Sequence, residues 1–96
     1  PYEIDNELRK KIYETSVRTL RICAHEHYED CPWREQAMYI QDSRNQMLCG
    51  YYAFENVEFA RSAILLMLNG QREDGLFELC FPAKIEFTIP SFSLSF

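Results

Sequence analysis

The chain is 96 residues long, 47% hydrophobic and 15% aromatic, with a formal net charge of −5. That length holds one small domain and not two, and the aromatic content excludes a disordered chain. The acidic balance, without clustered Lys and Arg, excludes nucleic acid as a partner, and no apolar run reaches the roughly 18 residues of a membrane span. A hydroxyl-rich, uncharged ligand suits this balance better. So much apolar surface is hard to hide in a short chain, and part of it is expected to face something outside the chain. Pro1 is not an initiator Met, which fits a processed or excised segment. No export signal is visible, so the compartment stays open.

In chain order, Ile4, Leu8, Ile12, Val17, Leu20 and Ala24 recur at three- to five-residue steps. This predicts a helix from about Asp5 to Cys23 with one apolar stripe. Asp5 or Asn6 can cap it, and Lys10, Lys11, Arg18 and Arg21 fall mostly on a solvated face. His25 to Pro32 breaks the pattern, because Pro32 pushes Cys31 out of the helical region. Pro32 then suits the first turn of a second helix, predicted from about Trp33 to Phe54. Its apolar side is Ala37, Ile40, Met47, Leu48 and Tyr51, with Gly50 open to close approach.

Asn56 caps a predicted third helix from Val57 to Asn69, with Gly70 as a left-handed residue after it. Phe59, Ala60, Ala63, Ile64, Met67 and Leu68 form its buried side. Asp74-Gly75 signals a turn, and irregular chain is expected from 71 to 90. After Pro90 the pattern fits either a short extended stretch or a helix capped by Ser91. Three helices with short connections make an incomplete layer. Cys23, Cys31, Cys49 and Cys80 allow two disulfides in three connectivities, but their irregular spacing favours free, mostly buried thiols.

Asp30, Glu35 and Asp42 fall within thirteen residues. On a helix starting near Trp33, Glu35 and Asp42 point the same way, about 10 Å apart along the axis. Tyr39 shares that face, with Asp30 and Trp33 at its N-terminal mouth. Spacing alone fits a solvated acidic face with a Glu set against the helix macrodipole. It also fits a sugar site: aromatic rings cover the C–H faces of sugars, carboxylates accept bonds from hydroxyls, and glycoside hydrolysis uses two carboxyl groups.

The run Tyr28-Glu29-Asp30-Cys31-Pro32-Trp33-Arg34-Glu35-Gln36, with Tyr39 and Asp42-Ser43-Arg44 after it, resembles the catalytic motif of glycoside hydrolase family 78 α-L-rhamnosidases. In that family an Asp-Cys-Pro turn precedes an Arg and a Glu, and an Asp follows seven residues later. Thr88-Ile89-Pro90-Ser91-Phe92-Ser93-Leu94 resembles a second family segment, and Asp74-Gly75 and Phe81-Pro82 fit the layout between them. The resemblance implies an all-α fold, part of an (α/α)6 six-hairpin toroid, with residues 1–96 as its N-terminal portion. It implies an inverting hydrolase of terminal α-L-rhamnose, of a kind found in secreted or periplasmic settings. The carbohydrate substrate and the remainder of the barrel are then the partners. Glu35 matches the general acid, and Asp30 and Asp42 match carboxylates that bind rhamnose hydroxyls. Arg34 matches a substrate-site arginine, Tyr39 an aromatic position, and Trp33 is a candidate wall for the sugar's methyl group or a core residue. The general base lies several hairpins downstream, outside residues 1–96. Gln41 departs from the family, which has Gly there, and this bears on helix packing around Asp42.

Two other readings compete. Cys23, His25, His27 and Cys31 form a Cys-x-His-x-His-x3-Cys run of zinc-type ligands, but zinc sites usually pair their ligands across a longer loop. His25 and His27 are therefore read as loop residues, and no metal or other cofactor is expected. A helical interaction module without catalysis is the alternative class, its apolar stripes serving as partner surface.

Overall fold

A computed structural model describes residues 3–96. Four helices follow one another: α1 (Glu7–Ile22), α2 (Ile40–Ala53), α3 (Val57–Leu68) and α4 (Pro90–Ser95). Among the described residues extended pairing is confined to the isolated antiparallel bridges Ala24–Tyr28, Tyr39–Cys80 and Gln71–Phe77. The described residues are all-α, as the family resemblance implies.

α1 and α3 start where their caps place them. Asn6 Oδ1 accepts the Arg9 N–H at 3.0 Å, and Asn56 Oδ1 accepts the Phe59 N–H at 3.1 Å, each satisfying an orphan donor of the first turn. Between α2 and α3 the chain reverses at Glu55, which takes the left-handed conformation at φ 53. The core is small: Tyr28, Met38, Ile40, Met47, Ala60, Ala63 and Met67, with Phe59, Ile64, Leu66 and Phe77 packed against it. Leu48, Tyr51 and Leu68, expected inside, are exposed. α1 contributes no buried residue at all, and its Leu8, Ile12 and Tyr13 are more than half exposed.

The predicted second helix is corrected at its start. Residues Trp33 to Tyr39 are not helical, and α2 begins at Ile40. Three causes combine. The Asp30 carboxylate accepts the Ala37 N–H at 3.0 Å, while the Asp30 N–H donates to the Ala37 carbonyl at 3.0 Å, closing 30–37 into a loop. Gln36 sits at φ 50, outside any right-handed helix. The next residues pair with the distant segment 79–81: the Ile40 N–H reaches the Leu79 carbonyl at 3.2 Å, and the Phe81 N–H the Met38 carbonyl at 3.4 Å. Met38 and Ile40 are each 1% exposed. Their two-residue spacing buries both from an extended chain, as a helix would not.

The chain is irregular from 71 to 89, close to the expected 71 to 90, and tied down by side chains. Asp74 Oδ1 accepts the Leu76 N–H at 3.0 Å, and Gly75 takes φ +86 in the predicted turn. Arg72 bridges Asp74 and Glu78 at 3.4 and 3.2 Å. Thr88 Oγ1 donates to the Phe77 carbonyl at 2.6 Å, and Ser93 Oγ accepts the Phe77 N–H at 3.0 Å. α4 is the helical alternative of the two open after Pro90, with Pro90 itself in the first turn and Ile89, not Ser91, as its cap. It packs on α2, where Ser95 Oγ donates to Gln41 Oε1. Gln41 thus has a packing role of its own next to Asp42.

Gly70 is not the left-handed residue expected, since Gly75 alone among the described glycines has positive φ. Its smallness is used differently: a Cβ there would lie 2.9 Å from Phe81 Cδ2 and 3.0 Å from Phe81 Cγ. We expect Gly70→Ala to destabilise the fold by about 1–3 kcal/mol, as overpacking does. A urea midpoint unchanged from the unsubstituted protein would show that Phe81 is free to move away.

Candidate active site

The loop from Tyr28 to Tyr39 is braced before it reaches its functional side chains. The Glu29 N–H donates to the Cys23 carbonyl at 2.8 Å, and Gln46 Nε2 donates from α2 to the Glu29 carbonyl at 2.6 Å. The Tyr28 ring meets Phe59 edge-on, centroids 4.7 Å apart, and its hydroxyl lies over Gly50, 3.4 Å from where a Cβ would stand. Gly50 therefore seats a loop tyrosine rather than another helix. The base of the loop is part of the core, and its tip projects into solvent.

At the tip, one oxygen or sulfur atom from each of Asp30, Cys31 and Glu35 lies within 4.8 Å of the others. Cys31 Sγ donates to Glu35 Oε2 at 3.6 Å, and Arg34 Nε stands 3.7 Å from Glu35 Oε1. Burial works to raise the Asp30 carboxyl. The Ala37 N–H, the Cys31 thiol and the Glu35 carboxyl outweigh it and hold Asp30 below its ordinary range.

Tyr39 caps α2 by position, its carbonyl accepting the Ser43 N–H at 2.9 Å. Its phenol is raised, first by burial, then by the charges of Cys80, Glu35, Asp30 and Asp42. Tyr39 is the point at which all three carboxylates are felt. Asp42 is half-buried in the first turn of α2. The single helix face drawn through Glu35, Tyr39 and Asp42 does not exist, because Glu35 is on the loop and only Asp42 is on α2. Asp30 and Glu35 are brought together instead by the turn between them. Trp33 is 89% exposed and takes no part in the core of the described residues. A cleft of about 660 Å³ between α1 and α2 takes in Asp30 but not Glu35, Tyr39 or Asp42.

The zinc-type run disperses. His25 Nδ1 pairs with the buried Glu29 at 2.8 Å, which raises the imidazole's pKa, and His27 Nδ1 meets the Tyr28 carbonyl at 2.7 Å. All four cysteines are free; Cys23 and Cys80 are buried, Cys31 is half-buried and Cys49 exposed. Sequence reasoning treated Cys31 as a packing thiol and missed its contact with Glu35. The available signal was its place inside the Asp-Cys-Pro turn.

Helical hairpins with paired carboxyl groups on a braced, solvent-facing loop define the class: an all-α, helical-hairpin protein. Residues 2–93 match the family described as the bacterial alpha-L-rhamnosidase 6 hairpin glycosidase domain, and the chain belongs to that family. No curated protein and no solved structure matches the chain. Membership makes this a glycosidase-family domain of helical hairpins, the kind of fold that the four helices show.

Proposed function

We propose that the chain is the N-terminal portion of a family 78-type (α/α)6 catalytic domain. In this reading it hydrolyses terminal non-reducing α-L-rhamnose with inversion, and Glu35 is the general acid. The observation that carries the reading is the Asp30–Cys31–Glu35 cluster on its braced loop. A solvent-reaching carboxyl sits beside a second carboxylate whose pKa is held low. A neighbouring negative charge favours the protonated form of an acid, and a proton donor must hold its proton until the leaving oxygen needs it.

The chemistry then divides between this chain and the hairpins beyond it. Glu35 gives its proton to the glycosidic oxygen as the bond from the anomeric carbon breaks. A carboxylate from a later hairpin takes a proton from the water that attacks the opposite face, across a gap of roughly 6.5–9.5 Å. Asp30 and Asp42 accept hydrogen bonds from ring hydroxyls. Arg34 and Tyr39 supply further polar contacts, and exposed Trp33 offers an apolar surface to the sugar's methyl group. The overall charge fits a neutral substrate, and among the described residues no helix is long and apolar enough to cross a membrane.

The test is stereochemical. The full-length protein, given an aryl α-L-rhamnoside in an NMR tube, should release β-L-rhamnose first, with the α anomer growing only by mutarotation. First release of the α anomer would mean retention and a covalent intermediate. The proposed division of labour would then be wrong.

A further inference from the structure

The Glu35 carboxyl is gripped at both oxygens, and the two grips are unequal. Arg34 stands 3.7 Å from Oε1, but its side chain is 85% exposed and competes with water. Cys31 donates to Oε2 from a half-buried position. Its backbone lies between Pro32 and Asp30, whose own carboxylate is fixed by the Ala37 N–H at 3.0 Å. The thiol also lies within 4.8 Å of an Asp30 oxygen, so the side chain that bonds Glu35 stands beside the second carboxyl as well. A thiol is a weak donor. A hydroxyl in its place would bond a carboxylate at roughly 2.5–2.7 Å and stabilise the ionised form far more.

We infer that Cys31 is a positioning residue, whose thiol holds the Glu35 carboxyl beside Asp30 through a weak hydrogen bond. The inference rests on the reading of Glu35 as general acid. The charged and titratable groups beside Glu35, apart from Cys31, are Asp30 and Arg34 on its own loop, and Tyr39 feels Cys80, Glu35, Asp30 and Asp42 together. Asp30 also feels the Cys31 thiol, so its surroundings change whenever Cys31 is replaced, and two variants are compared with each other.

The experiment is the pH profile of kcat/KM in the full-length protein for Cys31→Ser and Cys31→Ala, with Glu35→Gln alongside. Far-UV circular dichroism checks that each variant folds. For Cys31→Ser the alkaline limb, which reports loss of the acid's proton, should move to lower pH by about one unit. For Cys31→Ala the limb should not move down. Its kcat on a rhamnoside with a poor leaving group should fall about tenfold, as a freed carboxyl loses alignment, with KM little changed. A purely structural role would lower activity in both variants and leave the limb in place. An unmoved limb in Cys31→Ser, or an equal downward shift in Cys31→Ala, overturns the assignment of Cys31 alone, provided Glu35→Gln is inactive. If Glu35→Gln retains activity on the poor-leaving-group substrate, both the acid and its positioning residue are overturned. Should Cys31→Ser fail to fold, Cys31→Ala still decides: kcat near that of the unsubstituted protein would overturn the role.

Discussion

Glu35→Gln in the full-length protein should lower kcat/KM by about 10²–10⁴ on a rhamnoside whose leaving group is poor, the usual worth of general acid catalysis. The amide is nearly isosteric with the acid and keeps its contacts, but it cannot hand over a carboxyl proton. An activated aryl rhamnoside leaves without much protonation, so its loss should be far smaller. Asp42→Asn is expected to behave differently, lowering kcat/KM by similar factors on both substrates, because a lost hydroxyl contact is felt regardless of the leaving group. The ratio of the two substrates' kcat/KM values therefore separates a proton donor from a binding residue. A Glu35→Gln enzyme close to unsubstituted activity on the poor-leaving-group substrate would remove Glu35 from the acid's place while leaving the family and the fold untouched.

What the sequence discloses of this fold follows the range of the forces involved. α1 and α3 are set by local chemistry: an Asn cap, a helical period, and a turn after each. Those signals lie within a few residues of the structure they cause, and a reading along the chain finds them. The start of α2 is decided at long range. Asp30 reaches seven residues forward to Ala37, and Met38 to Ile40 pair with residues about forty positions later. Nothing local to Trp33–Tyr39 forbids a helix, and Ala37 with Ile40 even fits one. Phe81 had a similar hidden effect at Gly70, where a contact eleven residues away, not the backbone angle, explains the glycine.

The candidate site divides in the same way. Residue types in the Asp-Cys-Pro-containing run were legible, because a motif is a statement about chemistry. Their mutual placement was not. A helix would have held Glu35 and Asp42 on one face and left Asp30 apart; the loop instead brings Asp30 within 4.8 Å of Glu35 and recruits Cys31 between them. Cys80 joined the surroundings of Tyr39 only through the bridge between residues 39 and 80, a pairing without any sequence signal.

Substituting Ile12 with Glu should have opposite effects in two settings. Ile12 is 58% exposed on α1, between Leu8 at 68% and Tyr13 at 51%. This apolar stripe has Lys10 and Lys11 beside it but no cover among the described residues. Apolar surface presented in a continuous row drives association when nothing shields it. The 96-residue chain expressed alone should therefore self-associate, and Ile12→Glu should shift it toward monomer in sedimentation velocity. In the full-length protein the proposed toroid places another hairpin against α1, since each hairpin buries its faces on its neighbours. There the same carboxylate would be buried without a partner, which costs at least about 2 kcal/mol, and the melting temperature should fall. The reversal of sign is the informative result. A full-length protein whose melting temperature is indifferent to Ile12→Glu would mean that α1 faces solvent there too. The stripe would then be a partner surface, as the interaction-module reading has it, and residues 1–96 would not be the opening part of a closed barrel.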